Sequence, residues 1–380
     1  MLFTAFEPSG DDHASAVIGE LRSRHPDLII NAWGGPKMEG SGATIIEQTG
    51  GDAVMGLPGL AKIREHRRIN KRIAAWIQEN GPTVHIPVDS PAANFPICEI
   101  AKKADMRVVH LVAPQIWAWG GWRIRKLRRL TDQVLCLLPF EEEWFRARGV
   151  RAEFVGHPLF DRPLDTETLD ARVAGFAGAN EEGVPRLAVM PGSRPGEIKA
   201  NFPLQLESFR ELRRRHPNLR GLVAATTPKV EERLRATANE LGGWPDGLDI
   251  VSGQADAVIR WCDLALVVSG TVTLQIARQR KPMVIFYRSN PVMYTLLARW
   301  LLSTEFFTLP NLVAGREVVR ELVPHFEGHE PITEAVDELI SQPKLAEVQA
   351  GHLEQIAQQF AGTNASTAAA DAIEHVAGLK

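Results

Sequence analysis

Polar residues stand just after short apolar runs at Glu7-Pro8-Ser9-Gly10-Asp11, Asp89-Ser90-Pro91, Pro191-Gly192-Ser193-Arg194, Ser269-Gly270-Thr271 and Arg288. Leu187–Met190, a buried-strand pattern, runs into the Gly-Ser-Arg turn and then into a helical repeat through Phe202, Leu206, Phe209 and Leu212. Strand, glycine-rich turn and helix aim backbone N–H groups and a helix N-terminus at an anion. Arg194 adds a planar, permanently charged fork suited to phosphate oxygens. The alternative for Arg194 is an ordinary βα loop with the side chain in solvent. Ser269-Gly270-Thr271 repeats the pattern, and its alternative is simple helix capping by a hydroxyl. Two such turns in one half of the chain favour a diphosphate site, with Gln275 one helical turn further in, toward a ribose.

General-base chemistry falls to Asp89, which ends the run Val84-His85-Ile86-Pro87-Val88, where partial burial adjusts a carboxyl pKa. Its alternative is to cap the following turn. Glu7 is a second strand-end carboxylate in the same half, and could equally serve the dipole of the helix after Ser9. Neither a D-x-D metal motif nor a G-x-G-x-x-G dinucleotide fingerprint occurs, and the histidines lack ligand spacing. The reading is therefore no metal, no NAD and no other cofactor.

The elements that must position these residues alternate strand and helix twice. Strands are predicted at 2–6, 29–33, 84–88, 108–112, 134–138 and 154–155, then at 187–190, 222–225, 249–251, 264–268 and 283–286. Helices are predicted at 62–77, from about 96 to 104, at 197–215 and 230–241, with a helical tail over 334–377. Such alternation makes parallel sheets covered on both faces. The polar stretch from Asp161 to Pro185 reads as a linker. The fold class is α/β: two Rossmann-like, doubly wound domains facing across a cleft. The first covers 1–165 with helix 355–380 packing back onto it; the second covers 166–354. In open parallel sheets ligands sit beyond the carboxyl ends of the strands, so one site shared by both halves is expected.

Bulk properties narrow the class. The 380 residues are 44% hydrophobic and 23% charged, and the net charge of -3 argues against nucleic acid as a partner. Cys98, Cys136 and Cys262 lie far apart in apolar runs, as buried thiols of a reducing compartment do. The opening MLFTAFEPSGDD has no secretory signal pattern, and the apolar stretch 292–302 is too short to span a bilayer. The basic helix beginning KIREHRRINKR carries Arg64 and Arg67 beside Leu57, Leu60 and Ile63. It reads as a solvated helix face or as a contact with an anionic leaflet.

Taken in order, these motifs resemble the lipid-A-disaccharide synthases, inverting glycosyltransferases with the GT-B arrangement. The resemblance also draws on Gly35-Pro36-Lys37-Met38, Val54-Met55-Gly56, Pro114-Gln115-Ile116-Trp117-Ala118-Trp119, Leu138-Pro139-Phe140-Glu141, Val155-Gly156-His157-Pro158, Leu309-Pro310-Asn311-Leu312 and Ala314-Gly315-Arg316-Glu317. It implies transfer of a 2,3-diacylglucosamine from a UDP-activated donor to an acylated glucosamine 1-phosphate acceptor. Asp89 matches the base, with Glu7 beside it. Gly192, Ser193, Arg194, Ser269, Gly270, Thr271, Gln275 and Arg288 fall on the nucleotide side. Ser9, Gly10, Asp11, Asn94, Trp117, Asn311 and Arg316 fall on the sugar-lipid side. It further implies peripheral attachment to the cytoplasmic face of the inner membrane through residues near 57–67, while a homodimer stays open as a further partner. Departures from the family pattern are Phe6 in place of glycine, Ala92 in place of an acid and Gln275 in place of glutamate. A UDP-N-acetylglucosamine 2-epimerase of similar architecture and a non-catalytic nucleotide-sugar or lipid binder are the rival readings.

Overall fold

The computed structural model describes residues 1–49, 60–178, 181, 183–289, 291 and 304–379. The chain divides into two compact units, Met1–Arg162 with Gly362–Lys380, and Pro163–Ala361.

In the first unit, β1 (Leu2–Ala5), β2 (Asn31–Gly34), β3 (Thr44–Gln48), β4 (Val84–Val88), β5 (Arg107–Leu111), β6 (Gln133–Cys136) and β7 (Ala152–Phe154) form one sheet. Their order is β3-β2-β1-β4-β5-β6-β7, and the pairings are parallel. β1 and β4 are buried along their whole length, as apolar runs inside a doubly covered sheet must be. The order reverses between these two strands, with Leu2 opposite His85 and Ala5 opposite Val88. Their carboxyl ends therefore open the crevice where open α/β sheets bind ligands. The helix Pro8–Arg24 leaves β1, and Gly10 lets it pass close to the sheet: a Cβ there would lie 3.2 Å from Ala5 Cβ and 3.6 Å from Val88 Cγ1.

The last helix, Ala365–Ala377, belongs to this unit. Ala369, Ala370 and Ile373 sit in its core beside Val17, Ile18 and Leu21 of the helix Pro8–Arg24. Asp161 accepts from the N–H of Ala365 at 2.7 Å and from that of Ser366 at 3.3 Å, satisfying orphan donors at the helix start. At the other face Arg24 pairs with Asp371 and Glu374.

The second unit repeats the plan with β8 (Arg186–Met190), β9 (Arg220–Ala225), β10 (Leu248–Ser252), β11 (Leu264–Val268), β12 (Met283–Arg288) and β13 (Arg320–His325). The parallel order is β10-β9-β8-β11-β12-β13, so the reversal falls between β8 and β11. Its core gathers Leu187, Val189, Leu266, Val268 and Phe286 of the sheet with Phe202, Leu206 and Phe209 of the helix Pro195–Arg215.

Two edge strands, β3 and β13, escape the sequence pattern. β3 alternates exposed and half-buried residues, and β13 is mostly half-buried and carries Pro324. The helix after β4 begins at Pro91 rather than near Pro96, because a proline is compatible with the first helical position, where no intrahelical N–H bond is lost.

Candidate active site

At the reversal point of the first sheet, the loops after β1 and β4 meet. Ser90 Oγ donates to Glu7 Oε1 at 2.6 Å. Asp89 and Ser90 have φ of 50° and 30°, in the left-handed region that costs an ordinary residue strain. Neither Asp89 nor the Glu7 side chain caps a helix: Ser90 holds the N-cap position after β4, and Glu7 makes no side-chain cap bond before Pro8. Burial pushes the Asp89 carboxyl above its usual value, a Ser90 backbone bond opposes this, and the charge of Glu7 adds to the rise. A partly buried carboxylate whose pKa is raised suits general-base chemistry.

Glu141 is buried beneath this edge of the sheet. It accepts from the N–H groups of Leu137 and Leu138 at 3.1 and 3.0 Å and from Trp117 Nε1 at 2.9 Å. Burial still pushes its carboxyl up to about 7, and the charge of Asp89 contributes in the same direction. Trp117 is 4% exposed and committed to Glu141, so it supports the loop after β5 instead of presenting its indole to a substrate.

Three other residues assigned to substrate are likewise structural. Asp11 accepts from the backbone N–H groups of Gly35, Lys37 and Met38, all within 3.0–3.1 Å, and so serves the start of the helix Pro36–Gly40. Asn94 is fully buried and donates to the carbonyls of Val88 and Asp89 at 2.9 and 3.1 Å. Asn311, also fully buried, accepts from Val318 and Val319 and donates to Val319 and Glu321, closing the turn that leads into β13. Ser9 and Arg316 are exposed, and Gly10 is the buried close-approach glycine described above.

In the second unit a cavity of about 570 Å³ opens at the carboxyl ends of β8, β9, β10 and β11. Gly192, Ser193, Arg194, Ser269, Gly270, Thr271 and Gln275 all line it. Gly192 has φ of +87°, and a Cβ there would sit 3.0 Å from Glu197 Oε2, so the turn demands glycine. The Arg194 guanidinium meets Glu197 Oε1 at 2.9 Å across the start of the helix Pro195–Arg215. Thr271 stands at the N-cap position of the helix Val272–Arg278 without a side-chain cap bond, which leaves simple capping unrealised there. Arg288 is the exception: its side chain is exposed, its N–H donates to Asn201 Oδ1 at 2.7 Å, and it does not line the cavity.

Sequence reasoning missed Thr226, Gly253, Gln254 and Asp256 on the same wall. They follow β9 and β10, so the strand-end rule would have found them. Arg172 also lines the cavity, from the helix Thr166–Val173, inside a stretch that reads as linker. Arg64 and Arg67 lie exposed on the helix Leu60–Asn80; Leu57 and the side chains of Leu60 and Ile63 lie outside the described residues. Among the described residues no helix is long and apolar enough to cross a membrane.

Two parallel α/β units, each with its site loops at the strand-order reversal, define the GT-B class. Across the whole chain the fold matches the MnaA–UDP co-structure from S. aureus, with a TM-score of 0.64 at 12% identity, covering 100% of this chain and 97% of that one. It also matches MurG from Acinetobacter baumannii, with a TM-score of 0.59 at 10% identity over 98% of this chain and 99% of that one.

Sequence similarity is narrower. The family described as Lipid-A-disaccharide synthetase matches residues 1–374. The lipid-A-disaccharide synthase of Alcanivorax borkumensis is 33% identical over 368 residues, covering 96% of this chain and 94% of the relative. That of Azotobacter vinelandii is 35% identical over 343 residues, covering 88% of each. The chain belongs to the lipid-A-disaccharide synthase family and is a glycosyltransferase.

Proposed function

We propose that this enzyme transfers 2,3-diacylglucosamine from UDP-2,3-diacylglucosamine to the 6-hydroxyl of 2,3-diacylglucosamine 1-phosphate, with inversion. The observation that carries the reading is the cavity at the reversal between β8 and β11, where Arg194 and two small-residue turns converge in a member of this family. Such a site suits a nucleoside diphosphate: backbone N–H groups and a guanidinium can share its charge.

In the proposed step the Asp89 carboxylate takes the proton of the acceptor hydroxyl as its oxygen bonds to C1 of the donor sugar. The bond from C1 to the β-phosphate oxygen breaks on the opposite face, and its electron pair leaves with UDP. Arg194, Ser193 and the 269–271 turn stabilise the charge growing on that oxygen, which is the larger electrostatic part of such a transfer. Glu7 holds Ser90 and raises the basicity of Asp89. Gln275 contacts the ribose, and Arg172 supplies a second cation at the cavity.

Acylated substrates place the reaction at a membrane surface. The exposed Arg64 and Arg67 support contact with anionic headgroups at the cytoplasmic leaflet. The rival reading as a 2-epimerase rests on similar architecture alone. Incubation with both acylated substrates, followed by mass spectrometry, tests the reading. A disaccharide 1-phosphate supports it; an isomerised UDP-sugar formed without acceptor overturns it.

A further inference from the structure

Beneath the Asp89 turn lies a line of buried polar side chains that the transfer step does not itself use. His85 Nε2 and Thr4 Oγ1 are 2.9 Å apart, and Thr4 Oγ1 donates to Asn94 Oδ1 at 2.7 Å. Asn94 Nδ2 then donates to the carbonyls of Val88 and Asp89. All three side chains are fully buried.

The direction of every hydrogen in this line is fixed. Asn94 must present its NH₂ to two carbonyls, so its oxygen faces Thr4. Thr4 spends its single hydroxyl proton on that oxygen and must accept from His85. His85 is therefore the Nε2–H tautomer, which leaves its buried Nδ1 a bare acceptor without a hydrogen-bond partner and no N–H stranded there. Burial holds the ring neutral, with its pKa lowered to about 3. On the other side the Asp89 N–H donates to the Leu111 carbonyl at 2.9 Å. The left-handed Asp89 peptide is thus bolted at both ends, to β5 through its N–H and to the buried line through its C=O.

We propose that His85, Thr4 and Asn94 are positioning residues that hold the strained Asp89–Ser90 turn in its left-handed form, so that the Asp89 carboxylate is presented at a fixed angle to the acceptor hydroxyl. Aspartate alone tolerates the left-handed region, but two consecutive non-glycine residues there, Asp89 and Ser90, need surroundings that hold them. This inference rests on the reading of Asp89 as the base.

Thr4→Val removes the hydroxyl while keeping the side-chain shape, Asn94→Leu removes both amide functions, and Thr4→Ser restores the hydroxyl. The account expects kcat to fall on the order of 10–100-fold in Thr4→Val and Asn94→Leu, since small misplacements of a reacting group cost that much. KM and UDP affinity should stay near wild type, and Thr4→Ser should recover most of kcat. Titration of the Asp89 carboxyl by carbon-13 NMR in the unliganded enzyme gives a second readout that needs no turnover. It should fall toward the ordinary aspartate value in Thr4→Val as the turn relaxes toward solvent. Wild-type kcat with an unmoved titration in Thr4→Val would overturn the proposal. So would a parallel loss of kcat, KM and UDP binding, which would mark a general packing defect. Failure of the wild-type enzyme to turn over would instead count against the base assignment, while the titration would still decide whether the buried line shapes the Asp89 turn.

Discussion

Ser90 Oγ donates to Glu7 Oε1 at 2.6 Å, tying the loop after β4 to the loop after β1 at the point where the first sheet reverses its strand order. The bond keeps a second carboxylate beside Asp89, and the charge of Glu7 adds to the burial that raises the Asp89 pKa. Glu7→Gln keeps an acceptor for Ser90 and removes that charge. The acid limb of the kcat/KM profile should therefore move to lower pH, with Glu141 remaining as the other buried acid of this edge. A limb that stays in place would show that Asp89 does not set it.

Asp89→Asn should lower transfer by roughly 10²–10⁴-fold, the usual contribution of a positioned base. UDP affinity should be unchanged, because the cavity proposed for the nucleotide belongs to the other unit. Equal loss of both would contradict the assignment.

The same substitution has a stability signature. The folded-state pKa of Asp89 is raised, so the carboxyl costs stability once the pH exceeds its unfolded value, and the cost grows until the pH passes the folded value. Asn carries no such cost. Asp89→Asn should raise the thermal midpoint at pH 8, with the gain shrinking as the pH falls through the raised folded-state value and gone once it is below the ordinary aspartate value. Scanning calorimetry across pH checks the sign.

Arg194→Ala should weaken UDP binding by about 1.5–3 kcal/mol, the usual range for a hydrogen bond to a charged group. Glu197 meets the same guanidinium at 2.9 Å, so it competes with a diphosphate for it. Glu197→Gln should tighten UDP binding, as titration calorimetry would show. Weaker binding in that variant would mean that Glu197 orients Arg194 for the ligand.

Gly192→Ala puts a side chain at φ +87°, within 3.0 Å of Glu197 Oε2. It should cost about 1–2 kcal/mol of stability from the left-handed backbone alone. Urea unfolding measures that cost, and UDP affinity should fall with it as the turn shifts.

The central strands were legible because burial on both faces leaves an uninterrupted apolar signal: β4 and β11 match the sequence pattern residue for residue. β3 and β13 were not, because an edge strand needs only one covered face and the residues of β3 alternate with solvent. The strand-end rule found turns that line the cavity of the second unit, since position in a parallel sheet dictates where such loops gather. Which polar side chain faces outward is a different matter. Asn94 and Asn311 look in sequence like any binding amide, yet each spends its hydrogen bonds within the protein, on nearby backbone and on one side chain, Thr4 and Glu321 respectively. Nothing in residue type distinguishes an amide that holds a loop from one that holds a sugar.

Release of UDP from UDP-2,3-diacylglucosamine, measured in detergent with EDTA and with or without 2,3-diacylglucosamine 1-phosphate, tests the central claim most directly. The account predicts release that depends on the acceptor, survives EDTA and disappears in Asp89→Asn. UDP binding without acceptor-dependent release would contradict it, and would make Phe6, Ala92 and Gln275 marks of a relative that binds the nucleotide sugar without transferring it.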